Sequence, residues 1–230
     1  MSLNVLVTGN CHSGVNLLLE ALDQHPLIYG KVPPVSLSDC IDEQSNERSS
    51  LEQFITHCLI DKTEKGEIVT LLPISYSVLQ KADLWDYLAT AYLAGDFCML
   101  HVHRNPIECF IIKEKHKRDQ QCPELQRRRI ELDVERLTKF VRNSLANEAK
   151  LERVMYDRAD LEYMELVSRS KATLKEIQKY LSLSSIPGLG LLTDLSQRKL
   201  PLRYVSNRYM LEQELPHDIL DQLKLLKDGF

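Results

Sequence analysis

The chain has 230 residues, of which 43% are hydrophobic, and a formal net charge of −4. This length suits one globular domain, and we predict a single domain over residues 1–230. The hydrophobic content excludes a disordered chain. The negative charge argues against a general polyanion binder, and the 7% aromatic content leaves few rings for base stacking. We therefore expect no nucleic-acid partner.

The cysteines and the start of the chain bear on the cellular compartment. None of the six cysteines belongs to a Cys-x-x-Cys pair, which disfavours a zinc knuckle, and reduced cysteines fit a reducing compartment. The opening MSLNVLVTGN lacks the basic start and apolar run of a signal peptide. No stretch approaches the roughly 20 apolar residues of a membrane span. We expect a cytoplasmic protein without a membrane partner.

In the first half of the chain, short apolar runs alternate with amphipathic segments. Residues 4–8 are apolar and rich in valine, which predicts a buried strand that enters a turn at Gly9. Residues 15–24 have helical spacing, and Pro26 ends that helix. Residues 31–50 are predicted to form a long loop or lid. The later elements predicted in this half are helices over 50–61 and 78–93 and a strand over 67–74.

The second half continues the same alternation, which predicts the fold class. Strands are predicted over 97–102 and 161–167, and helices over 106–117, 124–151, 170–183, 207–215 and 216–226. Strands separated by helices are typical of βαβ units. We predict an α/β fold of three layers, with a mainly parallel central sheet flanked by helices.

A glycine turn between the first strand and the first helix is the clearest functional signal. Gly9 and Gly14 stand five residues apart, and such a turn can direct backbone N–H groups at a phosphate beside a helix N-terminus. The spacing also begins a Walker A motif, but Val15 and Asn16 replace its lysine and hydroxyl residue. A metal-dependent nucleotide kinase is therefore a weak alternative. A turn that only connects strand and helix is the structural alternative.

Four segments together resemble one family. GNCHSGVNLLLEALDQHP resembles the first signature of the sulfotransferases that use 3′-phosphoadenosine 5′-phosphosulfate (PAPS), and MLHVHRNPIECFII resembles the strand and Arg-Asn-Pro-x-Glu motif of that family. YMELVSRSKATLKEIQKYLSL and QRKLPLRYVSN followed by YMLEQEL resemble its later segments. All four follow in the family's order and spacing. The chain is thus similar to bacterial PAPS-dependent sulfotransferases with a P-loop-like fold.

This resemblance implies a set of ligand-binding residues. The residues expected at the 5′-phosphosulfate are Cys11, His12, Ser13, Gly14, Val15 and Asn16. Arg104 is expected to hold the 3′-phosphate, helped by Arg198 or Lys199, and His12 is the catalytic candidate that would stabilise the leaving group. PAPS would be the co-substrate, without a metal. The sulfuryl group would pass to a hydroxyl or amine of a small-molecule or carbohydrate acceptor.

Several residues depart from the family's pattern. His12 stands in place of arginine or lysine, and Val15 and Asn16 in place of two hydroxyl residues. Ile112 replaces a serine that bonds the 3′-phosphate, a loss worth roughly 1.5–3 kcal/mol, and the neighbouring Lys113 is expected to point elsewhere. These changes keep open a second interpretation: a catalytically impaired nucleotide-binding or scaffold protein.

The sequence does not identify a general base. Acids in the loop after the first helix are weak candidates, namely Asp39, Asp42 and Glu43. His101 and His103 share one face of a predicted strand; histidines packed under a helix are favoured there over a metal pair. The basic residues 113–118 are interpreted as a solvated helix face rather than a site for an anionic acceptor.

Overall fold

The computed structural model of the protein describes residues 3–29, 69–81, 85–125, 128–186, 188–191 and 201–228. The strands are β1 (Leu3–Gly9), β2 (Ile28–Tyr29), β3 (Val69–Ser75), β4 (Cys98–His103) and β5 (Ala159–Glu162). The helices are α1 (Val15–Leu22), α2 (Tyr76–Lys81), α3 (Trp85–Ala94), α4 (Pro106–Gln121), α5 (Val134–Val154), α6 (Tyr163–Ser168), α7 (Ser170–Tyr180), α8 (Arg208–Glu214) and α9 (His217–Asp228). Short 3-10 turns cover Pro123–Leu125 and Pro201–Tyr204.

The described strands form one parallel sheet in the order β2-β3-β1-β4-β5. Gly9 at the end of β1 is in register with Ser75 of β3 and Val102 of β4, so three strands end at one edge. Ligands of parallel α/β sheets bind at this carboxyl edge. Pro73 is accommodated inside β3 because β2 pairs only with the first two residues of that strand.

Helices cover both faces of the sheet, as predicted. Val5 and Val7 point into one apolar cluster, which the buried residues of α1, α6 and α7 complete. Leu6 points to the opposite face, into a cluster completed by α2, α3 and α5. The alternation along β1 therefore buries both sides of the central strand, and the expectation of an α/β fold with a mainly parallel sheet is confirmed.

The C-terminal helices build a third apolar cluster beside the sheet. Ile107, Phe110 and Ile111 of α4 pack there against α5, α8 and α9. The α4 helix begins where β4 ends: the Asn105 side chain accepts a hydrogen bond from the Ile107 N–H at 2.9 Å, and Pro106 fills the first helical position. The third cluster thus supports a helix that starts at the carboxyl edge.

Two predicted elements are wrong in part. The strand predicted over 161–167 ends at Glu162, because β4 offers no partner beyond His103; α6 follows at once and buries Tyr163 and Leu166. The helix predicted from 124 begins only at Val134, after an Asp133 N-cap. The chain before that cap instead makes a parallel bridge between residues 130 and 205.

The other predicted elements differ less from the structure or cannot be compared with it. The helix predicted over 78–93 is two helices, α2 and α3, with residues 82–84 outside the described part. The predicted loop over 31–50 and helix over 50–61 lie outside the described residues. None of the described helices combines the length and apolar character needed to cross a membrane.

Candidate functional site

The turn between β1 and α1 has a backbone that demands glycine at two positions. Gly14 has a φ of 110°, and a Cβ there would lie 2.6 Å from Cδ2 of Tyr163. A Cβ at Gly9 would lie 2.7 Å from the carbonyl oxygen of Val102. His12 also adopts a positive φ, of 64°. The turn is therefore a narrow, sharply folded cradle at the centre of the carboxyl edge.

The first N–H groups of α1 face this cradle without a cap. The Ser13 N–H donates to the Asn10 carbonyl at 3.1 Å, and the helix ladder begins with the Leu18 N–H, which donates to the Gly14 carbonyl at 3.0 Å. In the described part of the chain no side chain caps the helix at Gly14. The N–H groups of the first helical turn therefore offer an anion the partial positive charge of a helix N-terminus.

The hydroxyl of Ser13 adds a second feature that suits a ligand. Its Oγ atom is buried and has no hydrogen-bond partner among the described residues. An unpaired buried hydroxyl is unfavourable, by about 1–3 kcal/mol. A phosphate or sulfate oxygen at the turn would supply the missing partner. The glycine cradle, the uncapped helix and this hydroxyl therefore suit a phosphate or sulfate group.

Arg104 contacts the turn directly. It follows β4, is buried, and donates from Nη1 to the His12 carbonyl at 3.0 Å. Its Nε donates to Oε2 of Glu108 at 2.9 Å, and the guanidinium lies 3.7 Å above the centre of the Tyr163 ring. The structure thus brings Arg104 and the turn together. Part of the guanidinium is already hydrogen-bonded to Glu108 and to the His12 carbonyl, so the arginine anchors the turn.

The α4 helix brings further positive charge to the turn. The His116 ring centroid lies 5.8 Å from that of His12, and Lys113 is close enough to influence the pKa values of Cys11 and His12. Nζ of Lys113 lies 5.2 Å from the centre of the Phe140 ring, and the expectation that Lys113 points away from the 3′-phosphate stays a prediction. Sequence reasoning missed this pair because only the packing of α4 across the turn reveals which of its basic residues face it.

Partial burial and nearby charge govern the two side chains at the tip of the turn. Partial burial lowers the pKa of His12, and the neighbouring His116, Arg104 and Lys113 side chains lower it further. The imidazole is therefore neutral near pH 7. Burial raises the pKa of the Cys11 thiol, although Lys113 acts in the opposite direction. Cys11 is thus a protonated thiol rather than a nucleophile.

The α5 helix reaches the same edge from the other side. Oγ of Ser144 donates to Oδ1 of Asn10 at 2.9 Å, and one helical turn later Oε1 of Glu148 lies 3.3 Å from Nδ1 of His103. The nearby Glu148 carboxylate, which can accept from Nδ1–H, raises the pKa of His103; burial opposes it, and Glu162 contributes in the same direction as Glu148. This histidine–carboxylate pair was not predicted, since its members are distant in sequence.

A second polar group extends from the core, beneath the edge, to the surface. Tyr76 hydrogen-bonds to Nε2 of His101, and Nδ1 of His101 lies 2.7 Å from Oδ1 of Asp160. Nε of Arg158 donates to the same carboxylate oxygen at 2.8 Å. Because an aspartate oxygen accepts from Nδ1–H, Nε2 of His101 is left to accept a hydrogen bond from the Tyr76 hydroxyl. Burial raises the pKa of Tyr76, which keeps its hydroxyl protonated.

Several predicted residues cannot be placed. Arg198 and Lys199, expected near the nucleotide, lie outside the described residues, as do Asp39, Asp42 and Glu43. Ile112 lies half-buried on α4. In the described part of the chain, no group of three or more histidine, cysteine, aspartate or glutamate side chains could hold a metal ion.

Comparison with known proteins adds evidence on the fold. No protein-family model matches the chain, and no curated protein matches it in sequence. Solved structures do match. A sulfotransferase from Alicyclobacillus acidocaldarius superposes with a TM-score of 0.56 and 15% identity, over 99% of this chain and 95% of that one. The sulfotransferase STF9 from Mycobacterium avium gives a TM-score of 0.50 and 12% identity, over 100% of this chain and 77% of that one.

These likenesses establish the fold. At 12–15% identity they confirm the resemblance to sulfotransferases at the level of architecture, over almost the whole chain. The chain therefore has a sulfotransferase-like fold, with the glycine turn at the carboxyl edge of its sheet.

Proposed function

We propose that this protein binds PAPS at the turn of residues 9–14 and transfers its sulfuryl group to a hydroxyl or amine of a small-molecule or carbohydrate acceptor. The observation that carries the proposal is the combination of an uncapped helix N-terminus and the unpartnered Ser13 hydroxyl within one glycine cradle. The sulfotransferase-like fold around that cradle supports the same interpretation.

The charge around the turn suits a nucleotide with two phosphate groups. Lys113 and His116 lie on the α4 side of the cradle, and Arg104 lies directly behind it. Of the five guanidinium N–H groups, the two described hydrogen bonds to Glu108 and His12 use two. We propose that the other N–H groups of Arg104 serve the 3′-phosphate, and that Arg198 or Lys199 assists.

His12 is proposed to act as a neutral hydrogen-bond donor, or to gain a proton when the ligand binds. Its lowered pKa means that the free protein holds no full positive charge at this position near pH 7. Sulfuryl transfer requires stabilisation of negative charge on the leaving phosphate oxygen. An imidazole N–H at the tip of the turn supplies this in part, and a dianionic ligand would raise the pKa of His12.

Titration calorimetry with adenosine 3′,5′-bisphosphate, the desulfated product of PAPS, tests the binding step. We expect binding that is tighter than that of adenosine 5′-monophosphate and independent of magnesium. Ser13→Ala should weaken it roughly ten- to hundredfold through loss of a hydrogen bond to a charged group, without lowering the melting temperature. Ser184→Ala, at an exposed serine far along the chain, is the matched control. No heat with the folded protein at millimolar ligand would refute the proposal.

A second measurement separates transfer from binding. Release of labelled sulfuryl from ³⁵S-PAPS in single-turnover assays would support the enzyme. Tight binding with no release above the rate in buffer would instead favour the catalytically impaired binding protein. Two features support that alternative: the neutral His12 and the hydrogen bond that engages Arg104 with Glu108. Magnesium-dependent turnover of ATP would point to the kinase alternative.

A further inference from the structure

We infer that His103, held by Glu148, is the general base that removes the proton from the sulfuryl acceptor. The inference rests on the proposed function, because it assigns a role within the same site. It starts from the position of His103, the last residue of β4, one residue beyond the pair formed by Val102 and Gly9. His103 therefore emerges at the carboxyl edge beside Asn10, where the glycine turn begins.

The α5 helix links this histidine to the turn. Ser144 bonds Asn10 at 2.9 Å, and Glu148 faces His103 from the next turn of the same helix, about 5–6 Å along its surface. The turn and the histidine are thus held by one rigid element, on the face of the sheet opposite α1. An acceptor at this face would approach an anion in the cradle from the side that α1 leaves open.

The contact with Glu148 selects a tautomer. Oε1 of Glu148 is buried, lies 3.3 Å from Nδ1 of His103, and has no well-aligned hydrogen bond among the described residues. A buried carboxylate there favours the proton on Nδ1, which leaves the lone pair on Nε2 as the base. The His103 side chain is 36% exposed, so an acceptor can reach it from the edge.

The charges around His103 come from three elements. Glu148 of α5 and both Asp160 and Glu162 of β5 raise its pKa, while His101 of its own strand lies with its ring centroid 6.2 Å away. A raised pKa strengthens the base and requires that it be deprotonated before it acts. We expect the transfer rate to rise with pH through the pKa of His103.

The proposed step is balanced. Nε2 of His103 takes the proton of the acceptor O–H or N–H as the acceptor atom forms its bond to sulfur. The bond from sulfur to the bridging oxygen breaks, and its electron pair remains on the 5′-phosphate of the bisphosphate product. His103 then returns the proton to water.

The experiment compares His103→Gln with His217→Gln, at an exposed histidine on the first turn of α9. The assay measures single-turnover release of sulfuryl from ³⁵S-PAPS, with water alone and with phenol as acceptor. We expect a 10²–10⁴-fold slower release for His103→Gln, unchanged affinity for adenosine 3′,5′-bisphosphate, and no effect of the control. If the wild type binds and releases sulfuryl but His103→Gln is slowed less than threefold, the inference is wrong and the proposed function stands. If the wild type releases none, the proposed function itself fails.

Glu148→Gln provides a readout that does not depend on turnover. Histidine NMR titration of the full chain should show the His103 pKa fall in this variant, and the pH profile of release should move to lower pH by the same amount. Glu152→Gln, one turn along and exposed, should leave both unchanged. An unchanged His103 pKa in Glu148→Gln would overturn the assigned pairing.

Discussion

Two polar groups of this protein lie within a few residues of each other and differ in how completely they are hydrogen-bonded. The chain Tyr76–His101–Asp160–Arg158, which runs from buried Tyr76 and His101 to an exposed Asp160, pairs each polar side chain with another. At the edge, Oγ of Ser13 and Oε1 of Glu148 are buried without a well-formed hydrogen bond in the described part of the structure. A satisfied network stabilises the fold, whereas an unsatisfied one is ready for a ligand.

Arg104 shows that a residue at the carboxyl edge can still be engaged in structural contacts. It lies at the edge and matches a ligand-binding position of the family it resembles, yet it pairs with Glu108, His12 and Tyr163. Its first role is therefore to hold the turn in shape. Ligand binding at Arg104 would build on contacts that already exist.

The largest effect is expected from Gly14→Ala. The substitution strains a backbone with φ of 110° and drives a methyl group into the Tyr163 ring. We expect the free energy of unfolding to fall by about 2–5 kcal/mol in urea titrations, with loss of bisphosphate binding. Gly188→Ala has a similar φ of 104° but open space around it, so the drop at Gly14 should exceed it by about 1–3 kcal/mol. Equal drops would show that the contact with Tyr163 is unimportant.

An intermediate effect is expected from Tyr76→Phe, which breaks the satisfied network. Nε2 of His101 loses its donor inside the core, and the free energy of unfolding should fall by about 1–3 kcal/mol. Affinity for adenosine 3′,5′-bisphosphate should not change. Tyr209→Phe, at a tyrosine that is 74% exposed, controls for the loss of a phenol hydroxyl. Weaker binding at unchanged stability would instead place Tyr76 in the ligand site.

The smallest effect is expected in the pH dependence of bisphosphate affinity, which arises from His12 at the carboxyl edge. The pKa of His12 is lowered in the free protein, and a bound dianion should raise it, so binding takes up a proton between those two pKa values. Affinity should therefore increase as pH falls from about 8 towards 6.5, by up to about tenfold per unit of pKa change. Calorimetry in buffers of different ionisation enthalpy measures the proton uptake. His12→Asn should abolish it; an unchanged uptake would assign the proton to another group.

The sequence predicted the parallel sheet because its strands are buried on both faces and read as unbroken apolar runs, as in residues 4–8. The glycine turn was also predictable, because the strand before it, the two glycines and the helix after it are adjacent in the sequence. The helix start at Val134 was missed because the residues before the Asp133 N-cap are held out of the helix by the bridge of Ile130 with Val205, a distant segment. Residues 163–167 were taken for strand because apolar spacing in a short segment does not distinguish the two states.

The site was predictable only where it is contiguous. Residues 11–16 follow one another, and Arg104 belongs to a motif with a fixed position after a strand. Lys113 and Glu148 reach the edge because α4 and α5 pack across it, a consequence of tertiary structure that periodicity does not contain.

The Asn105 side chain joins the middle of the polypeptide to its C-terminal part. Its oxygen caps α4 and its amide nitrogen donates to the Gln222 carbonyl at 2.9 Å, in the last described helix. A fragment ending at residue 191 would keep all the described strands but leave bare the apolar flank of α4 formed by Ile107, Phe110 and Ile111. The sheet is thus not a self-sufficient module that could be transplanted without its tail. Recombination or truncation near the carboxyl terminus would disturb the loop carrying Arg104, although that terminus contributes no strand to the described sheet.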